Sequence, residues 1–429
     1  MNIVIVGNGP AAIAAVEAIR GQGREDSIVM VSKEDSPFYS PCPLAEYVEG
    51  SVPRGRLFLR PEGFYRDLKV QTLFGRAATA LNPESRRVTV GIGEAATELP
   101  YDRLLIATGA KAVLPPIPGL AWGEGVVALK TLGDAEAILA RIEGVAPARR
   151  AVVIGSGFIG LEAAQALIRR GLEVTVIEAL EQVLPQMLDA EVAAKVEARL
   201  RTHGIDVRVG APVEAVLHGP EGVSAVRAGG SAIDCDLVVC AAGVRPDLGW
   251  LAGSGLETAI GVRVDERMAT NLPDVFAAGD IIETLDTQGA RRVLGNWPNA
   301  VNGGRIAGLN MIGAERRYRG LDAINVVRIF DLPVASFGSR TGERTVTWEG
   351  GGHVRRLVLN DGRIVGGQFF GDVNEAGLYL EMMNKGVEAT PFERDLLTPR
   401  FGMGHLLPRP PRPTWSSSGS TALLNDSSR

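Results

Sequence analysis

The chain carries one strand–glycine turn–helix pattern twice, and this internal repeat constrains the fold more than any other feature. The first copy, "NIVIVGNGPAAIAAVEAIRGQG", begins at Asn2, and the second, "RAVVIGSGFIGLEAAQALIRRG", begins at Arg150. In both copies an apolar strand run precedes the glycines, and the helix after them repeats apolar residues at i, i+3, i+4 and i+7. Another strand run follows each copy, "SIVMVS" or "EVTVIE". The repeat predicts an α/β fold with two β-α-β units, each the centre of a doubly wound parallel sheet.

The two glycine turns are the predicted dinucleotide sites. A glycine-rich turn lets a pyrophosphate approach the backbone, and the N-terminus of the helix offers unpaired N–H groups and a favourable dipole. A single GxGxxG is weak evidence, whereas two copies in full β-α-β context are strong; glycines that only allow close packing are the alternative. The residues expected at the turns are Gly7, Gly9, Pro10, Ala11 and Ala12 in the first, and Gly155, Gly157, Phe158, Ile159 and Gly160 in the second.

Glu178 indicates which dinucleotide the second turn accepts. It ends the strand after the second helix, where a carboxylate accepts hydrogen bonds from a ribose 2′-hydroxyl and repels a 2′-phosphate. No arginine follows directly in "IEALEQ", so we predict NAD(H) rather than NADP(H). Glu162, just inside the same helix, has two open interpretations: a partner of the helix dipole or a residue that faces the nicotinamide.

The first turn lacks the corresponding acid. Its second strand ends in Ser32, Lys33 follows, and Glu34 lies one residue further on. Recognition of a ribose there would use Ser32, Lys33 or the backbone, unless Glu34 turned inward. The third glycine of the motif is replaced by Ala12, which the pattern allows. The dinucleotide prediction therefore holds, with the ribose contact left open.

Composition limits the partners and the compartment. The net charge of −5, with no run of basic residues, argues against nucleic acid or an anionic membrane as the partner. Three cysteines at wide spacing do not form a disulfide framework, which favours a reducing cytoplasm. No apolar run is long enough for a signal peptide or a membrane span. The four histidines pair with no motif, so no metal site is predicted.

The last part of the chain changes character. From about residue 324 to 370, apolar and polar residues alternate between Asp-Gly and Gly-Gly turn signals, which predicts antiparallel strands. "NEAGLYLEMMNKG" then predicts a helix. The final stretch, rich in proline and serine, predicts a disordered tail over 408–429.

Five motifs resemble, in their order along the chain, those of the FAD- and NAD-dependent pyridine nucleotide-disulfide oxidoreductase family. They are "GNGPAA", "LLIATG", "GSGFIGLE", "AAGVRPD" and "TNLPDVFAAGD". The resemblance implies that the first Rossmann-like unit binds FAD and that the second, inserted in the first, binds NAD(H). It also implies a C-terminal α+β interface domain. The implied division is 1–111 with 245–320 for FAD, 112–244 for NAD(H), and 321–407 for the interface domain.

The resemblance also assigns residues to each cofactor. Asp280 would hydrogen-bond the FAD ribityl chain, although a carboxylate there could instead cap a helix. Trp297 and Ala300 would lie beside the flavin ring, although Trp297 could instead be core between domains. The other residues implied for FAD are Pro43, Ala107, Thr108, Gly109 and Gly279, and those implied for NAD are Ala242 and Gly243.

Cys42, in "SPFYSPCPLAEYVEG", is the residue on which the branches of the family differ. Glutathione-reductase-type members use a CxxxxC dithiol, and Tyr47 occupies the second position here. Single-cysteine members, such as NADH peroxidase, NADH oxidase and coenzyme A-disulfide reductase, use a thiolate at about this place, but Pro43 replaces the glycine that follows it. In the rubredoxin- and nitrite-reductase-like branch the similar loop "YSxPxLS" has no cysteine chemistry. Cys42 is therefore a candidate catalytic residue, and a small apolar wall residue is the favoured alternative.

The same loop and the overall length are most similar to FAD-containing subunits of NAD-linked 2-oxoacid dehydrogenase complexes of the phenylglyoxylate type. In such a complex a thiamine-dependent enzyme oxidises the substrate, and iron–sulfur centres carry electrons to the flavin subunit. This chain has no cysteine cluster of its own, so iron–sulfur or ferredoxin-like partner subunits are implied, together with thiamine-dependent ones. The C-terminal domain implies homodimer formation or partner docking. Two rivals are a free-standing Cys42-dependent oxidase, peroxidase or disulfide reductase, and a non-enzymatic nucleotide-binding regulator.

Overall fold

The first repeat forms the centre of a five-stranded parallel sheet. The structure, a computed structural model, describes residues 1–144, 147–285, 291–318, 320, 324–398 and 401–406. Across the first sheet the strands are ordered Val275–Ala277, Arg103–Ile106, Asn2–Val6, Ser27–Val31 and Val70–Leu73. Each adjacent pair is parallel, as a β-α-β crossover requires.

The second repeat forms a second parallel sheet with the same local topology. Its strands are ordered Asp206–Arg208, Glu173–Ile177, Arg150–Ile154, Leu237–Cys240 and Val126–Val127. In both sheets the first strand of the repeat lies between the strand after its helix and a strand that arrives from later in the chain. The predicted fold class, with two Rossmann-like units, is confirmed.

Both repeat helices turn their predicted apolar stripes inward. In Pro10–Arg20, Ala12, Ala15, Val16 and Ile19 are fully buried. The α-helices are Pro10–Arg20, Leu44–Glu49, Phe64–Asp67, Leu132–Glu143, Phe158–Arg169, Ala190–Thr202, Trp297–Met311 and Ala376–Asn384, and the 3₁₀ helices are Arg54–Leu57, Gly93–Ala95, Gly249–Leu251, Thr390–Phe392 and Met403–His405. Every helix in the described ranges is too short or too polar to span a lipid bilayer.

Short antiparallel elements complete the two units. They are the meanders Ala78–Asn82, Arg87–Val90, Thr97–Pro100 and Val213–Gly219, Gly222–Ala228, Ser231–Asp234, and the small sheet of Val262–Arg263, Ile282–Leu285 and Arg291–Arg292. The chain passes between the units through Ala110–Ala112 and Val244–Pro246, which pair as antiparallel strands. The domain limits predicted from the sequence fall inside this pair, and the division itself stays a prediction.

The C-terminal part is a five-stranded antiparallel sheet with one helix against it. The strands are ordered Asn325–Ile329, Leu332–Gly338, Arg363–Phe370, His353–Asn360 and Arg344–Gly350. One face packs on the helix Ala376–Asn384, and the other contributes Val327, Val334 and Phe370 to the core of the second unit. The predicted strands and helix are thus present, whereas the predicted tail over 408–429 lies outside the described residues.

Two glycines let the helices Trp297–Met311 and Pro10–Arg20 cross at very short range. A Cβ at Gly304 would lie 2.1 Å from the carbonyl oxygen of Ala11, and one at Gly308 would lie 2.6 Å from that of Ala15. Both distances are far below van der Waals contact. Gly304 and Gly308, four residues apart, meet Ala11 and Ala15, which are also four residues apart. Because the helices touch there, Trp297, at the start of its helix, lies near the first glycine turn.

We expect Gly304→Ala to destabilise the protein by roughly 1–3 kcal/mol, because the added methyl group has no space and the helices must separate. Gly377→Ala is a matched control: Gly377 also lies in a helix, but its Cβ would meet nothing within 4 Å. That change should stabilise by up to about 1 kcal/mol through helix propensity. Urea unfolding of both variants checks the pair, and equal effects would contradict the close crossing.

Candidate cofactor-binding site

A cavity of about 900 Å³ lies at the carboxyl end of the strands of the first sheet and reaches the helix of the second repeat. In open parallel sheets this is the edge at which ligands bind. The residues predicted from the sequence that line the cavity are Gly7, Gly9, Pro10, Ala11, Ser32, Lys33, Cys42, Ala107, Thr108, Gly109, Ile159, Glu162, Gly279, Asp280, Trp297 and Ala300. Residues far apart in the sequence are therefore brought to one site.

Other predicted residues lie outside this cavity. Ala12 is fully buried beneath the first turn, and Pro43 precedes the helix Leu44–Glu49 between two residues that do line the wall. Most residues predicted for NAD lie instead where strands of the second sheet end or in the first turn of the helix Phe158–Arg169: Gly155, Gly157, Phe158, Gly160, Glu178, Ala242 and Gly243. Ile159 and Glu162 connect that edge to the cavity.

The two glycines of the first turn, Gly7 and Gly9, are needed for different reasons. Gly7 has φ +125°, and a Cβ there would lie 2.1 Å from the carbonyl oxygen of Ala107 on the next strand. A Cβ at Gly9 would meet nothing within 4 Å and would project into the cavity. Gly7 is thus required by the neighbouring strand, whereas Gly9 leaves room for what the cavity binds.

The second turn repeats this geometry. Gly155 has φ +101°, and its Cβ would lie 2.5 Å from the carbonyl oxygen of Ala241, while one at Gly157 would meet nothing within 4 Å. A Cβ at Gly160 would lie 2.0 Å from the carbonyl oxygen of Gly155. The third glycine is therefore needed in this copy, whereas the first copy accommodates alanine.

Glu178 is held in place beside the second turn. One carboxylate oxygen accepts hydrogen bonds from the Ser156 N–H, at 2.9 Å, and the Ser156 hydroxyl, at 2.7 Å. The other oxygen accepts one from the Leu180 N–H at 3.0 Å. The carboxylate is buried and fixed in the position predicted for ribose recognition. Ser156, in the middle of "GSG", was missed by sequence reasoning.

Two polar groups in the cavity wall are available to a bound ligand. Burial raises the pKa of Asp280 above its usual value, and the charge of Lys130 opposes this shift. The Thr108 hydroxyl oxygen is buried and has no hydrogen-bond partner in the described part of the chain. Asp280 does not cap a helix, because the strand Ile282–Leu285 follows it. Buried polar groups of this kind need a ligand or water to satisfy them.

Glu34 lies at the cavity wall but is committed to Tyr39. The Tyr39 hydroxyl donates to a Glu34 carboxylate oxygen at 2.6 Å and accepts from the Leu132 N–H at 2.9 Å. Burial raises the pKa of Tyr39 far above its usual value, so the hydroxyl remains a donor. The helix that begins at Leu132 is capped by Thr131 with Asp134, and the "TLGD" signal could have revealed the start of this helix.

Cys42 is exposed and lies on the cavity wall. Its loop is anchored by hydrogen bonds: Asn8 donates to the Ser36 carbonyl at 3.0 Å, and the Tyr65 hydroxyl donates to Asn8 at 2.8 Å and accepts from the Phe38 N–H at 2.9 Å. The loop geometry is thus fixed by the first turn itself.

Glu162 faces the cavity from the first turns of the helix Phe158–Arg169. Burial raises the pKa of its carboxyl group to about 7, and the charge of Glu46 adds to the shift. Glu162 thus holds its proton to a much higher pH than an exposed glutamate does. Its predicted position against the nicotinamide stays a prediction.

FAD fits this wall, since the open space at Gly9 takes a pyrophosphate, and the Thr108 hydroxyl, which has no partner among the described residues, and the Asp280 carboxyl suit the polar chain that follows it. With a second glycine turn of the same geometry, the fold and site define an oxidoreductase that binds two dinucleotides. The chain belongs to the pyridine nucleotide-disulphide oxidoreductase family, whose model matches residues 1–304. It is an FAD-dependent NAD(H) oxidoreductase, and the predicted cofactors are those of its family.

Three similar proteins span most of the chain. An NADH oxidase of Methanocaldococcus jannaschii is 31% identical over 86% of this chain and 88% of its own length. The epsilon subunit of an NADH-dependent phenylglyoxylate dehydrogenase of Aromatoleum evansii is 31% identical over 94% of this chain and 96% of its own length. Among solved structures, a covalent putidaredoxin reductase–putidaredoxin complex has a TM-score of 0.82 and is 25% identical, and the match covers 90% of this chain and 94% of that one.

The described residues contain no group of three or more His, Cys, Asp or Glu side chains that could hold a metal ion.

The open glycines provide a paired test. We expect Gly9→Ala to fold normally but to lose FAD, because the methyl group occupies the predicted pyrophosphate space. Gly157→Ala should retain FAD and weaken NADH binding roughly tenfold or more, about 1.4 kcal/mol. Flavin absorbance after purification and NADH titration measure the two effects, with circular dichroism as the folding control. Full FAD content in Gly9→Ala would contradict the predicted first site.

Proposed function

We propose that this chain transfers electrons between NAD(H) and an iron–sulfur or other one-electron carrier, as the flavin subunit of a 2-oxoacid dehydrogenase complex of the phenylglyoxylate type. The observation that carries the proposal is an exposed cavity wall with no second thiol near Cys42. Cys235 and Cys240 are buried in the core of the second unit. The chain therefore has no second thiol to form a dithiol relay with Cys42, which favours transfer from the flavin to an external carrier.

The similar proteins also support a flavin subunit that works with partner proteins. The Aromatoleum evansii subunit matches almost end to end, so no domain of that subunit lacks a counterpart here. The putidaredoxin reductase structure is a covalent complex with putidaredoxin, so a protein of this fold is known with a second protein bound to it, which supports a protein partner here. With three cysteines in all, this chain lacks the ligands for a cluster of its own, which favours clusters on partner subunits.

Each wall of the cavity has a proposed task. FAD, when bound, supplies the hydride chemistry and releases electrons in pairs or singly. The first turn, with Gly9, binds the pyrophosphate, and Thr108 and Asp280 orient the chain that follows. Ile159 and Glu162 position the nicotinamide from the opposite side. The protein thus aligns two rings and excludes water between them.

Glu178 sets the proposed preference for NAD(H). We expect Glu178→Arg to weaken NADH binding roughly tenfold, about 1.4 kcal/mol, and to admit NADPH, because the 2′-hydroxyl contact is lost and a phosphate partner gained. Stopped-flow bleaching of the flavin by each nucleotide measures the change. Glu221→Arg, in a hairpin turn of the same unit, is the charge-matched control. An unchanged preference in Glu178→Arg would mean that the second site lies elsewhere.

Cys42 favours one alternative, a free-standing thiol-dependent oxidase, peroxidase or disulfide reductase, because its sulfur is exposed on the cavity wall. Under our proposal Cys42→Ser keeps its flavin, its bleaching by NADH and its rate with a one-electron acceptor such as ferricyanide. If turnover with peroxide, oxygen or a disulfide is present in the parent and vanishes in Cys42→Ser, the alternative is correct. If NADH does not bleach the bound flavin at all, the chain is instead a non-enzymatic nucleotide-binding regulator.

Co-purification from the native source tests the assembly. The proposal expects subunits that carry iron and sulfide, with clusters that NADH reduces only when this chain is present. Iron analysis and electron paramagnetic resonance of the complex provide the measurement. Recovery of the chain alone, with full turnover on a small-molecule acceptor, would contradict it.

A further inference from the structure

The indole N–H of Trp250 is a buried hydrogen-bond donor without an acceptor. Its Nε1 atom is shielded from solvent and has no hydrogen-bond partner in the described part of the chain, while the ring packs against the apolar core of the first unit. An indole N–H can only donate, and buried polar groups of folded proteins are nearly always satisfied. Trp250 also lines the cavity. The missing acceptor is therefore expected on what the cavity binds.

The segment that carries Trp250 is attached to one wall of this cavity. Trp250 lies in the 3₁₀ helix Gly249–Leu251. Just before it, the Asp247 N–H donates to the carbonyl oxygen of Gly109 at 3.4 Å, and the Asp247 carboxylate pairs with Lys111 at 2.7 Å. Gly109, Lys111 and Asp247 all line the cavity themselves. The position of the indole is thus fixed relative to the wall.

On its other side, the 3₁₀ helix packs against the strand Ala78–Asn82. Ala77, directly before this strand, lines the cavity too. The preceding residue, Arg76, donates its N–H to the carbonyl oxygen of Ser32 at 2.9 Å. Ser32 ends the second strand of the first repeat, where this type of fold recognises the ribose of the adenosine half of a dinucleotide. Trp250 therefore reaches the cavity on the side of the predicted adenosine site.

The contact to the adenosine half of FAD is also the one that the sequence left open. Glu34 already accepts the hydrogen bond of the Tyr39 hydroxyl at 2.6 Å. Ring nitrogens of adenine and oxygens of ribose accept hydrogen bonds, so an indole N–H suits them. Donation from Trp250 satisfies a buried group of the protein and an acceptor of the cofactor at once.

We propose that the Trp250 indole N–H donates a hydrogen bond to the adenosine half of FAD and so contributes to FAD affinity. Trp250 takes over part of the recognition for which the first turn lacks an acid. The inference concerns how FAD is held and is independent of the proposed electron acceptor.

The test measures FAD affinity without turnover. Full-length holoenzyme is diluted in steps, and the flavin fluorescence that release restores gives the dissociation constant of FAD. We expect Trp250→Phe to raise this constant roughly five- to tenfold, the effect of one neutral hydrogen bond. Trp250→His supplies a ring N–H and should recover part of the loss. Trp348→Phe, in the strand Arg344–Gly350 outside the cavity, is the matched control and should bind as the parent.

The order of the two Trp250 variants separates a hydrogen bond from packing, with circular dichroism as the folding control. A role in packing alone predicts that Trp250→Phe, with the more apolar ring, retains FAD at least as well as Trp250→His, and that order overturns the proposal. Parent-like affinity in Trp250→Phe overturns it as well. If neither variant folds, a crystal structure of the parent holoenzyme decides. Nε1 within hydrogen-bond distance of an adenosine nitrogen or oxygen supports the proposal, and no such contact overturns it.

Discussion

The contact on which the rest of the structure depends is that between a glycine and the carbonyl group of the adjacent strand. Gly7 meets Ala107 in this way, and Gly155 meets Ala241. Each glycine adopts a positive φ that allows the chain to leave the strand and begin a helix at once. The N-terminus of each helix is thereby directed across the edge of its sheet, where an anion gains from its dipole. Because both units meet this constraint, each has a helix N-terminus directed at the edge of its sheet, where we predict that an anion binds. The paired linker strands Ala110–Ala112 and Val244–Pro246 connect the two units.

The short helix Leu44–Glu49 joins the two units at the cavity. Although it lies early in the chain, Leu44, Ala45 and Val48 pack in the core of the second unit rather than the first. The Tyr39 hydroxyl adds a hydrogen bond to the start of the helix Leu132–Glu143. Residues around Cys42 are thus fixed by contacts from both sides, and a shift between the units would have to break apolar packing as well as hydrogen bonds.

Sequence reasoning could reach the features that follow from local pattern. The repeat predicted both sheets, both glycine turns and the stripes of Ala12, Ala15, Val16 and Ile19, because a helix with a period of 3.6 residues must bury its apolar side. Contacts between distant elements left no local signal. The packing of the helix Leu44–Glu49 against the helix Phe158–Arg169 joins two different units, and no spacing in the sequence encodes it. The hydrogen bond from the Leu132 N–H to the Tyr39 hydroxyl was missed for the same reason.

The C-terminal sheet packs against the second unit through a largely buried arginine, Arg356. Arg356 reaches from the sheet to Asp189 and Glu191 at the start of the helix Ala190–Thr202, and Gln368 accepts a hydrogen bond from the Asp189 N–H at 2.8 Å. A largely buried guanidinium loses its hydration, and only a full set of partners offsets that loss. The Asp189 carboxylate also caps the helix Ala190–Thr202. The same carboxylate therefore stabilises the start of this helix and pairs with Arg356 of the C-terminal sheet. The alignment of the C-terminal sheet with the second unit is therefore set by the two ion pairs of Arg356 and the hydrogen bond to Gln368.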